Sequence, residues 1–494
     1  MIKSENKHNS WVFLIILVLI VGLITYYRLK MHLYLWPAYD TYDLLANAAL
    51  FAGKGIGYSD LLRPPLLPFL TSIYFMFHGL NMWVISVIDG ILYILGCIGV
   101  YLFLKERFTA LISFLGGLLY ATSPLIIIFA AVGYNDIPSV SIGIWALYFT
   151  YLAVKRNPKF FYLAFPVAML SVLTKYNMAL LIFPIFTYIL MSRDEIKNTK
   201  DIIGGICLGA LVLTPVLLFF NAKFGNPIYP FMDFLKTSGS SFSSGHFAYN
   251  PDLLYFVKNL PHYLGIPSLL IVFSTLLALL FSSYKKIGKI GTLSWNRISE
   301  GNNIQIVILL LLLTILIITF GKLHYMVSEV LFVAVILLTY NIFVTRNWDF
   351  GMDLLFLSWF ATFFIFHSAY MNKDHRYFIF MAAPIAYFLV RGLTFFTETF
   401  QVNFKKKNIT LYIFSALLIL LMVSSTISRF DDIEKANIDN KEFNENVRDA
   451  CNWLKNYDPE YKSRVIYADF WAIFAWHLQM DVGKMPTFRN NQTI

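Results

Sequence analysis

Three aspartates and three cations carry most of the chemistry this sequence offers. Asp40, Asp43 and Arg63 lie in YDTYDLLANAALFAGKGIGYSDLLRPPLLPFL (39–70), Asp136 in VGYNDIPSV, Lys175 in LTKYNM and Arg376 in NKDHRYF. A carboxylate near an acceptor hydroxyl can take its proton as a general base. Arg and Lys can hold a phosphate and stabilise the charge that develops on it. Each residue also has a plainer role. The acids at 40–60 could be solvated loop residues, and Asp60 reads as one. Asp136, with Pro138 two residues on, could cap the helix that follows. Lys175 could extend to the headgroups or hold a phosphate, and Arg376 could be an interfacial anchor or a phosphate clamp. On helical spacing Asp40, Asp43 and Asn47 share one face. The glycines at 53, 55 and 57 break that helix, and Arg63-Pro64-Pro65 leads back into apolar sequence.

Membrane spans must position these residues. Of 494 residues, 58% are hydrophobic and 14% charged, too few for the surface of a soluble protein. Runs such as residues 11–27 and 304–320 approach the length that crosses a bilayer. A window of roughly 19 residues gives about thirteen spans. They lie near 10–29, 82–104, 108–124, 137–154, 160–174, 177–192, 202–221, 263–283, 303–320, 325–344, 352–370, 377–397 and 409–427. The first run lacks a small-residue cleavage site and reads as a retained span.

Lys and Arg cluster at 105–107, 155–159, 193–200, 284–297, 345–347 and 404–407, in alternate loops. The positive-inside rule puts these loops and the N-terminus (Lys3, Lys7) in the cytoplasm. The same clusters account for the net charge of +10 without a nucleic-acid partner. Outside then fall the loops at 30–81 and 222–262, the turns at 133–138 and 371–376, and everything after about residue 428. All six chemical residues lie on that outer side, beside the bilayer. The expected organisation is a transmembrane module over 1–428 and an outer α/β region over 429–494. That region has a helix near 442–456, a turn at Asp458-Pro459 and a strand at 464–470, and is short for such a domain. Cys97, Cys207 and Cys451 are too far apart to suggest a disulfide framework. His246, His262, His324 and His375 lack metal-ligand spacing, so no metal is expected.

These segments, in order, resemble the GT-C glycosyltransferases of the protein-O-mannosyltransferase and aminoarabinose-transferase group. Asp40, Tyr42 and Ala48 resemble that group's first-loop Asp motif. RPPLLPFL (63–70) is similar to its Arg-Pro-Pro segment, NDIP (135–138) to its second-loop Asp-Pro, LTKYN (173–177) to its Thr-Lys-Tyr turn, and DHRYFIFMAAP (374–384) to its Arg-Tyr…Pro segment. The usual second acid of the first motif is Thr41 here, which leaves Asp43 as a stand-in. NWDFG (347–351) looks superficially like the oligosaccharyltransferase signature, but it falls in a loop placed inside.

The resemblance implies a polytopic GT-C fold. It implies an inverting enzyme that moves one sugar from a polyprenyl-phosphate carrier to a hydroxyl of a protein, lipid or glycan outside the cytoplasm. Asp40 would then be the base, with Asp136 assisting and Asp43 in reserve. Arg63, Lys175 and Arg376 would contact the phosphate, and Tyr42 and Tyr377 would line the sugar pocket. The composition suits a prokaryotic plasma membrane. A lipid transporter or flippase is the competing class. It should show two related halves with broken helices and polar groups at the midplane, whereas here the polar groups gather at one face.

Overall fold

A computed structural model of the protein describes residues 7–196, 198–239, 249–287, 300–344, 350–405 and 407–485. His246, most of the 284–297 cluster, residues 345–347 and Asn347–Asp349 of NWDFG lie outside the described residues.

The chain opens with α1 (Lys7–Leu35). The polar stretch that follows folds into α2 (Tyr39–Phe51), a turn, and α3 (Leu66–Phe77). Then come α4 (Val84–Lys105), α5 (Ala110–Ala121), α6 (Pro124–Phe129), α7 (Asp136–Lys155), α8 (Phe161–Thr174), α9 (Ile182–Met191) and α10 (Thr199–Phe224). The loop at 222–262 carries α11 (Tyr229–Gly239) and α12 (Tyr255–Lys258). The remaining spans are α13 (Leu260–Ile287), α14 (Glu300–Thr319), α15 (Tyr325–Val344), α16 (Gly351–Ala369), α17 (Ile379–Thr399) and α18 (Ile409–Ala436). Nine helices among the described residues are long and apolar enough to cross a bilayer. Shorter apolar helices at Ala110–Ala121, Pro158–Thr174, Tyr176–Met191 and Ile304–Thr319 correspond to the other four spans read from sequence.

Burial separates inner from outer helices. α7, α16 and α17 are mostly buried, whereas α10 and α18 expose most of their apolar surface. Exposed Leu211, Leu218, Ile413 and Leu420 on these outer helices suit contact with lipid. Small residues allow close crossings. Gly205 and Gly209, one turn apart on α10, lie against the backbone of Phe161 and Phe165 on α8, where a side chain would not fit at Gly205. α10 is bounded by Asn198, whose side chain accepts from Lys200 N, and by Gly225 in the left-handed conformation (φ +68°).

Three of the basic loops, at 105–107, 155–159 and 193–200, meet at one end of the bundle. Arg156 pairs with Glu106 (2.7 Å), Lys155 with Glu195 (2.6 Å) and Arg107 with Asp353 (2.7 Å). Asp136 stands at the opposite end of α7, a helix of 20 residues and so about 30 Å long.

After α18 come α19 (Ile438–Tyr457), β3 (Tyr467–Ala468), α20 (Trp471–Leu478) and β4 (Gly483–Lys484), following a short hairpin of β1 (Asn403–Phe404) and β2 (Lys407–Asn408). β3 and β4 are parallel, with Tyr467 opposite Gly483. The strand read at 464–470 is thus only two residues long, because its described partner is only two residues long. Residue 428 lies inside α18. The C-terminal elements share one apolar core with the opening stretch: Tyr42, Leu45, Ala49, Leu67 and Phe75 pack with Val447, Cys451, Ile473, Trp476 and Leu478.

Candidate active site

Short segments that begin or end helices deliver the polar side chains. Asp40 is in the first turn of α2, and Arg63 lies on the turn before α3. Asp136 opens α7, where a carboxylate suits the positive helix end. Lys175 follows α8 in extended conformation. Arg376 stands in the turn before α17, its backbone N–H held by the side chain of Asp374.

Asp40, Arg63, Asp136, Lys175, Arg376 and Tyr377 line one cavity of about 270 Å³. Arg376 Nη1 donates to Asp40 Oδ2 (2.8 Å), and Arg63 Nη2 to Asp40 Oδ1 (3.2 Å). Arg376 also pairs with Asp374 (3.0 Å). Lys175 Nζ donates to Asp136 Oδ1 at 2.5 Å, and its ammonium faces the rings of Phe380 (5.3 Å) and Tyr377 (5.7 Å). Burial pushes the Asp40 carboxyl up, but Arg63 and then Arg376 outweigh it and hold it below the ordinary carboxylate range. Burial lowers the Lys175 ammonium, with Arg376 adding to the effect and Asp136 opposing it.

Several sequence readings need correction. Tyr42 does not line the cavity. It is fully buried, its hydroxyl donates to Asn444 Oδ1 (3.3 Å), and its ring lies against His477. The phase of α2 turns it toward the C-terminal layer. Asp43 is also absent from the lining. One helical turn beyond Asp40, it is buried against Tyr58 and Arg63 (2.7 and 2.5 Å). Burial raises its carboxyl to about 6, with Arg63 and Tyr58 opposing. Asp60 is not merely solvated: it pairs with Arg63 (3.1 Å), and its backbone exchanges hydrogen bonds with the Asn47 side chain. Asp136 caps nothing with its side chain, because it is committed to Lys175.

The cavity holds further residues that the sequence reading passed over. Tyr134, Asn135, Tyr176 and Asn177 flank the chosen acid and base, Asp233 and Phe234 come from α11, and His367 and Tyr370 from the end of α16. His367 stacks on Tyr377 (4.7 Å between centroids), and its Nε2 lies 3.5 Å from the Asn177 amide. Its signal was available, as an ionisable residue inside an apolar span. Among the described residues no group of three or more His, Cys, Asp or Glu side chains is placed to hold a metal.

Residues 62–219 match the family model described as dolichyl-phosphate-mannose-protein mannosyltransferase. No curated protein matches the sequence significantly. Among solved structures, the chain is similar to ArnT from Cupriavidus metallidurans bound to undecaprenyl phosphate, with a TM-score of 0.59 at 12% identity over 96% of this chain and 85% of that one. The apo state of the same protein gives 0.58. The Archaeoglobus fulgidus oligosaccharyltransferase in the apo form gives 0.52 at 14% identity, over 95% of this chain and 64% of that one. The cavity therefore sits in a multi-pass helical membrane protein with the GT-C glycosyltransferase fold, as the ordered motifs implied.

Proposed function

We propose that the protein is an inverting glycosyltransferase that moves one sugar from a polyprenyl-phosphate carrier to an acceptor hydroxyl on the outer face of the plasma membrane. One observation carries the reading. A single cavity, at the helix ends remote from the basic loops, is lined by three carboxylates, Asp40, Asp136 and Asp233, and by three cations, and ion pairs join Asp40 and Asp136 to those cations. In the reaction the acceptor oxygen bonds to the sugar's anomeric carbon as the bond from that carbon to the phosphate oxygen breaks. The carrier phosphate keeps the electron pair, and the acceptor proton passes to Asp40. The leaving phosphate is a stable anion with a second pKa of about 6, so it needs no general acid. Arg63, Arg376 and Lys175 hold it.

Carboxylates pair with all three of these cations. A donor phosphate must displace them, and as it draws Arg376 and Arg63 away from Asp40 the carboxylate becomes a stronger base. Asp136 orients sugar or acceptor hydroxyls and keeps Lys175 in place. Tyr377, backed by His367, offers a ring face to the sugar.

Mass spectrometry of glycolipids and glycoproteins in a deletion strain identifies the sugar and the acceptor. Transfer of that sugar from a labelled polyprenyl phosphate is then measured with Asp40→Asn protein that inserts normally. The expected loss is about 10²-fold or more, the range for removing a general base. Transfer at the wild-type rate removes Asp40 from this role.

A further inference from the structure

Arg63 approaches the site under the control of a hydrogen-bond chain that begins in the C-terminal layer. Its Nη2 is divided between Asp40 Oδ1 (3.2 Å) and Asp43 Oδ2 (2.5 Å). The other oxygen of Asp43 accepts from the Tyr58 hydroxyl (2.7 Å). That hydroxyl in turn accepts from Trp471 Nε1 (3.0 Å), 413 residues away on the first turn of α20. The direction of the chain is fixed by chemistry. An indole N–H can only donate, so Tyr58 must accept from Trp471 and give its single proton to Asp43. With Arg63 donating on the other side, Asp43 serves purely as an acceptor, as an ionised carboxylate must.

We propose that Trp471, Tyr58 and Asp43 are positioning residues that set how firmly Arg63 is withheld from or presented to a phosphate in the cavity. The inference rests on the donor-phosphate reading above. It gives the C-terminal layer a specific task at the site, in addition to packing on α2 and α3. The link is close. The backbone of Met480 and Asp481 presses on Gly57, next to Tyr58. The titratable groups around Asp43 are Tyr39 and Asp40 on its own helix and Tyr58, Asp60 and Arg63 on the turn. On the C-terminal side Lys484 lies over the Trp471 ring (5.1 Å) and His477 beside Tyr42.

The tyrosine hydroxyl favours ionised Asp43, so its removal raises the pH at which Asp43 takes up a proton and releases its hold on Arg63.

The test uses full-length protein in lipid nanodiscs and undecaprenyl phosphate as the probe, with affinity measured from pH 5 to 8. Wild type is compared with Tyr58→Phe, Trp471→Phe and Arg63→Ala. The difference between variant and wild type at each pH cancels the probe's own titration. Arg63→Ala is expected to lose most of the affinity. Tyr58→Phe should change affinity about fivefold to tenfold at pH 7, the scale of one charge-assisted hydrogen bond. It should also move the protein-dependent midpoint to higher pH. Trp471→Phe, which removes the N–H donor but leaves an aromatic ring at the position, should move it the same way by less. If either variant inserts poorly, the other still decides. If Arg63→Ala loses affinity while both chain variants keep wild-type affinity and midpoint, the positioning proposal is overturned. If Arg63→Ala itself binds normally, the phosphate reading fails and this inference fails with it.

Discussion

Asp136 and Lys175 face each other where neither has much access to water, with side-chain exposures of 3% and 19%. Breaking such a pair leaves one charge buried and unpaired, which costs about 3–5 kcal/mol, whereas replacing both partners by apolar groups is often close to neutral. Asp136→Asn should therefore lower thermal stability in detergent by several degrees or more, and Asp136→Leu/Lys175→Met should recover most of the loss. If the single variant melts with wild type, the pair contributes nothing to the fold. Asp40, Arg63, Asp136, Lys175 and Arg376, which line the cavity, were legible in sequence, because a charged residue next to a span stands out against 58% hydrophobic composition. Their pairings were not. Nothing local says that Arg376 closes on Asp40, 336 residues earlier, or that Tyr42 turns away from the cavity into a layer built from residues beyond 440 while Asp43 is buried against Tyr58 and Arg63. Helical spacing placed Asp40 and Asp43 on one face, and both do meet Arg63, but only the first of the two lines the cavity.

At the scale of elements, the opening stretch works as a bracket between membrane and C-terminal layer. α2 and α3 bury apolar faces against α20, and the turn between them carries Tyr58, Asp60 and Arg63. Gly57 is the tight point: its φ is +90°, and a Cβ would lie 2.6 Å from Asp481 N. Gly57→Ala meets both backbone strain and a backbone clash, so it should weaken the docking of the C-terminal layer by about 1–3 kcal/mol. Hydrogen exchange is the readout. Amides of residues 466–484 should exchange faster in the variant while those of α7 and α16 are unchanged, and unchanged exchange at 466–484 would refute the bracket. The sequence marked this turn by its glycines and prolines but not what lies against it, because the contact joins residues more than 400 positions apart. The glycines of α10 did carry a signal, since Gly205 and Gly209 have the four-residue spacing of close helix crossings, but it did not say that the partner is α8.

For the whole molecule, the spans were the most readable feature, because a bilayer imposes length and apolarity locally. Even so, α5, α8 and α9 are short, and the outer stretch at 39–70 holds the helix expected around Asp40–Asn47, as α2, and the start of a second, α3, that was not expected. The geometry gives the orientation a sharp form. Ion pairs gather three of the basic loops at one end of the bundle and the cavity lies at the other, so under the positive-inside rule the cavity and the C-terminal layer would lie outside together. Single cysteines in a Cys207→Ser background test this, since Cys97 and Cys451 are buried. Asp449→Cys, on the exposed face of α19, should react with a membrane-impermeant maleimide in intact cells or in spheroplasts stripped of any outer layer. Lys159→Cys, among the basic loops, should react only after permeabilisation. The reverse pattern would put Asp40 and its arginines in the cytoplasm. The base would then face cytosolic acceptors, and the outer-face transfer proposed above would have to be abandoned even if every contact in the cavity stands.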